Sequence, residues 1–270
     1  MAVHPTALVA DGAEIDPTAE IGPFCVIGPR VRVGPETRLV AHVVVDNDTH
    51  LGARNVIHPF ASVGSIPQDL KFKGERSRLV IGDDNVIREG ATLNIGTEAT
   101  METRIGNHCL LMAYSHVAHD CALGDHVILT NSVGLAGHVH VGGWVTFGGL
   151  SAVHQYCRIG DHAFVAGGGM VTQDVPPFCI AQGDRAQLVG INIVGLKRRG
   201  FDRQRINDLR EAFRRLFAPG PTRLVALEQV ERELAGGSDD VRQLTDFLRQ
   251  SQRGVCPPRM VEPPADNYDG

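Results

Sequence analysis

The 270-residue sequence is poor in aromatic side chains and has no long hydrophobic run. Aromatic residues make up 5% of the chain and only one is tryptophan, although 43% of the residues are hydrophobic. Small and β-branched apolar residues fit narrow sheets. No segment approaches the ~18 consecutive apolar residues of a membrane-spanning helix. The first residues lack the basic and apolar regions of a secretory signal, so we expect a cytoplasmic protein without membrane insertion.

The spacing of the cysteines and the net charge argue against disulfide-bonded, metal-binding and nucleic-acid-binding proteins. The six cysteines form no Cys-x-x-Cys pair. Cys25, Cys109, Cys121 and Cys157 recur at one position of a six-residue repeat, which predicts small core residues better than disulfides or metal ligands. A formal charge of −5 argues against nucleic acid as a partner.

The main signal in the sequence is a hexapeptide period. An apolar residue returns every six positions from Val3 to Val63 without a miss, and again from Ile105 to Val171. This period is typical of a parallel β-helix, in which three hexads form one triangular coil. Residues 18 apart then stack at the inter-strand spacing of about 4.8 Å.

The period also predicts the domain organisation. We predict a hexapeptide-repeat β-helix over residues 1–190, with loop excursions near 64–80 and 96–104 where the rhythm breaks. Apolar residues at helical spacing then predict a small α-helical domain over residues 191–253, which can cover the open strand edge. The Pro- and Asp-rich tail, 254–270, is predicted to be disordered. The fold class is mainly β.

The repeat brings candidate proton-transfer groups together at one corner. Stacking in steps of 18 places His119 beneath Gly137, and Gly137 beneath Gln155. The flanking columns contain Asp120, His138 and Tyr156 on one side and Ala118, Ala136 and His154 on the other. A neutral imidazole at His119 can take a proton from a hydroxyl, and Asp120 can hold its second nitrogen. The Gly137 amide can donate to an oxyanion, which indicates acyl transfer from an activated thioester.

Two other interpretations of the histidines stay open. Stacked rings can decorate a corner without chemistry, as the column His108, His126, Trp144 and His162 suggests. Alternatively, three histidines from adjacent coils or subunits can build an open zinc site, as in the β-helical carbonic anhydrases.

The stretch from Lys197 to Arg215 carries eight basic residues against three acidic ones in an otherwise acidic chain. Such a stretch suggests an acidic partner or phosphate groups. A solvated helix face is the alternative.

Motifs along nearly the whole chain resemble one family. They are, in order, GPFCVIGP, QDLK, HVAHDC, LAGHV, VHQ, DVPPF, AQG and GLKRRGF. The family is the cytosolic acyl-[acyl carrier protein]:UDP-N-acetylglucosamine O-acyltransferases, which begin lipid A synthesis. The resemblance implies a left-handed β-helix, a homotrimer with active sites between subunits, and neither metal nor cofactor. It also implies transfer of a 3-hydroxyacyl group from acyl carrier protein to the 3-OH of the UDP-sugar.

The same resemblance assigns roles to residues of this chain. His119 is the general base, Asp120 supports it, and Gly137 supplies the oxyanion amide. The residues that would bind the UDP-sugar or the acyl-phosphopantetheine arm are Gln68, Asp69, Lys71, His116, His138, His154, Gln155, Asn192, Arg198 and Arg199. Gly167 stands where the family limits the acyl chain, and a glycine there predicts an open groove for ~12–14 carbons.

Two departures from the family pattern concern the acceptor. The family usually has Asn or His followed by Arg-Gly-Thr where this chain has Asn94-Ile95-Gly96-Thr97, and it usually has Glu where this chain has Val194. N-acylation of a 2,3-diamino UDP-sugar is therefore an alternative acceptor chemistry.

Overall fold

Three parallel sheets form the faces of a triangular prism in the computed structural model, which describes residues 2–220 and 222–259. Face A contains β1 (Ala2–Val3), β4 (Glu20–Ile21), β7 (Arg38–Leu39), β10 (Val56–Ile57), β13 (Val86–Ile87), β16 (Leu110–Leu111), β19 (Ile128–Leu129), β22 (Thr146–Phe147), β25 (Phe164–Val165), β27 (Cys179–Gln182) and β28 (Gln187–Ile191). Face B contains β2 (Leu8–Val9), β5 (Val26–Ile27), β8 (Val44–Val45), β11 (Ser62–Ser65), β14 (Thr92–Asn94), β17 (His116–Val117), β20 (Gly134–Leu135), β23 (Ala152–Val153) and β26 (Met170–Val171). Face C contains β3 (Glu14–Ile15), β6 (Arg32–Val33), β9 (Asp48–Leu51), β12 (Arg78–Ile81), β15 (Glu102–Ile105), β18 (Ala122–Leu123), β21 (His140–Val141) and β24 (Arg158–Ile159).

The register of the strands confirms the mainly β fold and its repeat. Val117 pairs with Leu135, 18 residues on, in a parallel ladder. The sequence separation between paired residues is larger where an excursion leaves the prism. There, Ile57 pairs with Ile87, and Leu93 pairs with Val117. The intervening residues leave the ladder as loops, which lie beside the candidate site described below.

The unusual backbone angles at the corners fall mostly on residues other than glycine. The left-handed residue comes three positions after the apolar one, as at Phe24 (φ 58°) and His138 (φ 62°). The glycine that follows the apolar residue is needed for space, because a Cβ on Gly22 would lie 1.8 Å from the carbonyl oxygen of Val40.

The apolar hexad residues fill the interior of the prism. Leu39, Ile57 and Leu135 are completely buried. Burying such a side chain contributes ~1.5–3 kcal/mol, so the repeat itself supplies the driving force for coiling. All six cysteines are free and buried, which confirms the core role predicted for four of them.

A hairpin and four helices follow the last coil. β27 continues face A in parallel and pairs antiparallel with β28. The helices are α1 (Ile193–Arg198), α2 (Arg203–Leu216), α3 (Arg223–Glu233) and α4 (Asp239–Gln250), with a 3-10 turn at Ala235–Gly237. Asp202 accepts a hydrogen bond from the Arg205 amide at 2.8 Å and so begins α2. No helix in the described part of the chain is both long and apolar enough to span a membrane.

The C-terminal segment is ordered further than predicted. Val255 and Cys256 are buried, and parallel bridges join Asp174 to Val255 and Leu188 to Pro258. The prediction of disorder from residue 254 is therefore wrong for residues 254–259, because they satisfy exposed backbone groups at the end of the prism and bury two apolar side chains. Residues 260–270, the rest of the predicted tail, lie outside the described residues.

Candidate active site

The predicted column of catalytic residues lies at the corner between faces B and C. His119 occupies the turn from β17 to β18, and Gly137 occupies the same position one coil further on. The amide of His138 donates to the carbonyl oxygen of His119 at 3.0 Å, which fixes the stacking. A Cβ on Gly137 would lie 2.5 Å from His119 Cε1. Only glycine leaves room for the imidazole here, and the Gly137 amide donates to no other group in the described chain.

His119 and Asp120 form a close pair. His119 Nδ1 lies 2.7 Å from Asp120 Oδ2. The Asp120 side chain is fully buried, whereas the His119 side chain remains 13% exposed. Because a carboxylate can only accept, Nδ1 carries the hydrogen and Nε2 is left with its lone pair. This is the tautomer that a general base needs.

Threonines of the second excursion hold Asp120 in place. Asp120 accepts from the Thr97 amide at 3.0 Å, from the Thr97 hydroxyl at 2.6 Å and from the Thr100 hydroxyl. Its own amide donates to Thr103 Oγ1 at 2.8 Å. Burial alone would raise the pKa of Asp120, but the hydrogen bonds from Thr100, Thr97 and His119 outweigh it and lower the pKa to about 2. The contacts of Thr97 and Thr100 with Asp120 could not be predicted from the sequence, because these two residues lie outside the repeat.

Further predicted residues surround the imidazole of His119. The ring of His138 meets it edge-on, with centroids 5.0 Å apart. Asp69, from the first excursion, places Oδ2 3.9 Å from His119 Nε2. His116 Nδ1 lies 2.7 Å from the hydroxyl of Thr92. Burial lowers the pKa of both His116 and His138, so both rings are neutral at neutral pH.

Other predicted residues at this corner are more exposed. His154 and Gln155 lie two coils beyond His119, and His154 Nδ1 is 2.8 Å from Arg253 Nη2. Gln68 and Lys71 are exposed on the first excursion, where the Lys71 amide donates to Asp69 Oδ1 at 3.0 Å.

Another group of predicted binding residues lies at a different corner, between faces C and A. Asn192 caps α1 by accepting from the Gly195 amide at 3.1 Å. The Arg199 guanidinium lies 5.3 Å from the ring centroid of Trp144. Arg198 is exposed beside it. The structure of one chain therefore does not bring these residues to His119.

The residues predicted to limit the acyl chain and to affect the acceptor are also dispersed. Gly167 lies at the corner between faces A and B, where an added Cβ would be 3.4 Å from the carbonyl oxygen of Gly149. Ile95 is buried in the core, whereas Val194 is 62% exposed.

The corner between faces C and A contains the predicted stack of rings. Centroids of His108 and His126 are 4.9 Å apart, those of His126 and Trp144 3.7 Å, and those of Trp144 and His162 6.3 Å. Burial and the nearby charge of Arg199 lower the pKa of His162 to about 4. Stacking without proton transfer therefore accounts for this column.

Three side chains at the corner between faces B and C could in principle hold a zinc ion. His119, Asp120 and His138 offer ligand atoms within 4.8 Å of one another. However, Asp120 Oδ1 accepts from the Thr97 amide and the Thr100 hydroxyl, and Oδ2 accepts from the Thr97 hydroxyl and His119. A carboxylate has about four lone-pair sites. A metal would have to displace these donors, so the cluster fits a proton-transfer pair better than a metal centre.

Comparison with known proteins defines the class. A profile described as bacterial transferase hexapeptide (six repeats) matches residues 102–137, and one described as UDP N-acetylglucosamine O-acyltransferase, domain 2, matches residues 174–256. With the histidine and carboxylate at a corner of the prism, these matches define a hexapeptide-repeat acyltransferase. The fold is a left-handed parallel β-helix with C-terminal helices.

Individual relatives identify the family. The acyl-[acyl-carrier-protein]:UDP-N-acetylglucosamine O-acyltransferase of Anaeromyxobacter sp. (strain Fw109-5) is 50% identical over 94% of this chain and 99% of its own length. The structure of LpxA from Acinetobacter baumannii is 43% identical with a TM-score of 0.92, over 95% of this chain and 100% of that one. The UDP-N-acetylglucosamine O-acyltransferase structure from Moraxella catarrhalis is 41% identical with a TM-score of 0.91, over 94% and 99%. The chain belongs to this family of UDP-N-acetylglucosamine O-acyltransferases.

Proposed function

We propose that the protein transfers a 3-hydroxyacyl group from acyl carrier protein to the 3-OH of UDP-N-acetylglucosamine, the first step of lipid A synthesis. The observation that carries this proposal is the pair of His119 and Asp120, which leaves a lone pair on His119 Nε2, together with the Gly137 amide, which lies beside the ring and donates to no group of the described residues.

The reaction needs one base and one oxyanion donor. His119 Nε2 takes the proton of the sugar hydroxyl as its oxygen attacks the thioester carbonyl carbon. The Gly137 amide donates to the negative charge that develops on the carbonyl oxygen. The carbon–sulfur bond then breaks, and the departing phosphopantetheine thiolate takes the proton from His119. The products are the ester and the free thiol.

A covalent acyl-enzyme is not part of this proposal. Cys121 is the cysteine nearest in sequence to the base, but it is buried and donates to the Ala136 carbonyl oxygen at 3.1 Å. Burial, the largest effect, raises the pKa of its thiol to about 12, so the reactive thiolate is suppressed.

Assembly as a homotrimer is part of the proposal, because the site of one chain is incomplete. The predicted binding residues divide between the corner at His119 and the corner at Arg199. A neighbouring prism that places its Arg199 corner against the His119 corner would join the two groups, and sedimentation should then give a trimer.

We propose acyl carrier protein as the acidic partner of the helical region. Among the residues described, four exposed cations of the stretch from Lys197 to Arg215 make no ion pair: Lys197, Arg198, Arg203 and Arg210. The relatives are named for action on acyl carrier protein and UDP-N-acetylglucosamine. Unpaired positive charge accelerates encounter with an acidic protein.

The assay that tests the function offers 3-hydroxyacyl carrier proteins of several chain lengths with UDP-N-acetylglucosamine or its 2,3-diamino analogue. Mass spectrometry should detect an ester on the first sugar, and His119→Ala should lower turnover at least 10²-fold. If the only product is an amide of the diamino sugar, the enzyme is an N-acyltransferase instead. We propose a cytoplasmic enzyme without metal or cofactor, and stoichiometric zinc required for activity would contradict that part.

A further inference from the structure

A polar cavity opens one coil beyond the corner that contains His119. Its volume is about 730 Å³, and its walls include His138, Tyr156, Arg158, Gln250 and Arg253. It adjoins the site because the ring of Tyr156 stacks on that of His138, with centroids 4.3 Å apart. The cavity lies between face C and the segment that follows α4.

Positive charge in this cavity is not neutralised by a direct ion pair. Neither Arg158 nor Arg253 forms a salt bridge with a carboxylate of residues 2–220 and 222–259. Asp174 is the one carboxylate in the wall of this cavity, and it is buried with both oxygens engaged. Its Oδ1 accepts from the Arg158 amide and its Oδ2 from the Ser251 hydroxyl, each at 2.8 Å.

Both guanidinium groups are held in place and still have free donors. Arg253 Nε donates to the Thr172 carbonyl oxygen at 2.9 Å, and Nη2 lies 2.8 Å from His154 Nδ1. Arg158 Nη1 donates to the Gln250 carbonyl oxygen at 3.3 Å, and its guanidinium lies 4.8 Å from the ring centroid of Phe247. A guanidinium has five N–H donors, so Arg253 Nη1 and Arg158 Nη2 remain available.

We infer that Arg158 and Arg253 bind a phosphate group of a substrate in this cavity. Two fixed guanidinium groups with free N–H donors suit phosphate oxygens, since arginine binds them through paired hydrogen bonds. The inference rests on the proposed function, whose substrates supply such phosphate twice: the diphosphate of the UDP-sugar and the phosphodiester of phosphopantetheine.

The test separates these two sources. Arg158→Gln and Arg253→Gln are compared with wild type for the KM of each substrate, and calorimetry measures binding of UDP and of phosphopantetheine. We expect the variants to raise KM and Kd at least tenfold for one of the two ligands and to change kcat less than threefold. Weakened UDP binding assigns the cavity to the nucleotide, and weakened phosphopantetheine binding assigns it to the acyl donor.

Arg158→Gln is the decisive variant, because Arg253 also touches His154. Arg249→Gln is the matched control, since Arg249 is bound to Glu231 on the helical domain. If Arg158→Gln leaves both KM values and both binding constants unchanged, the inference is wrong, even if kcat falls. If wild type makes no acyl-sugar but its UDP binding still depends on Arg158, the proposed function fails and the phosphate site stands.

Discussion

Replacing Asp120 with asparagine should reverse the tautomer of His119. The amide nitrogen of an asparagine can donate to His119 Nδ1, which must then accept, so the hydrogen moves to Nε2. Nε2 can no longer take a proton from the sugar hydroxyl. In Ser-His-Asp enzymes the same change lowers kcat about 10⁴-fold, and general bases contribute 10²–10⁴. We therefore expect Asp120→Asn to lower kcat at least 10²-fold, with a smaller effect on KM.

The same variant should alter stability at acid pH. The folded-state pKa of Asp120 is about 2, below its ordinary value of 3.8. At one pKa unit per 1.36 kcal/mol, this difference stabilises the folded state by roughly 2 kcal/mol above pH 3.8. The contribution is lost as the pH falls from about 4 to about 2. Asp120→Asn lacks it, so its melting temperature should fall less steeply over that interval than that of wild type.

Initial rates and melting curves over a range of pH measure both effects. Asp16→Asn is a matched control for the rates, because Asp16 also accepts from a threonine, Thr18, but lies at the other end of the prism. Thr100→Val removes one donor and keeps the carboxylate, so its loss of activity should be smaller. Activity of folded Asp120→Asn above ~10% of wild type would refute the tautomer argument.

Four further results are expected. Gly137→Ala should lower kcat at least 10²-fold, because its methyl group would displace the imidazole of His119. Gly149 has the same turn position at another corner, and its added Cβ would lie 3.5 Å from the nearest atom, so Gly149→Ala should not lower kcat. Because burial depresses the pKa of His162 to about 4, the folded state should lose stability as the pH falls from 6.5 to 4, and His162→Gln should flatten that slope in thermal melts. Arg203→Glu should raise the KM for acyl carrier protein more at low salt than at high salt, and equal effects at both would leave it a solvated surface residue. Gly167→Met should shorten the preferred acyl chain by several carbons in the mass-spectrometric assay, at ~0.8 kcal/mol per methylene, and an unchanged preference would show that another residue limits the chain.

The stacking of Gly137 on His119 could be predicted because the repeat converts sequence spacing into distance. Each coil consumes 18 residues, so Gly137 had to stack on His119 once the period was recognised. The same regularity predicted the core role of Cys121 and the ring stack that includes Trp144. These are local consequences of a period that every coil obeys.

Residues outside the period could not be placed in this way. Thr97 and Thr100 reach Asp120 from a loop, and Asp69 reaches His119 from another, and no spacing rule relates a loop residue to a corner of the prism. The separation of Arg199 from His119 could not be predicted either, because Arg199 follows the last coil and the spacing rule does not reach it.

The sequence by itself determined the coiling, the register of stacked residues and the pairing of an imidazole with a glycine. Only the tertiary structure decided which hydroxyls keep Asp120 ionised, that residues 254–259 are ordered, and that Arg253 joins Arg158 in one cavity. The physical reason is that repeated apolar burial acts between adjacent coils at a fixed sequence spacing, whereas these contacts depend on where non-repeating segments return to the prism.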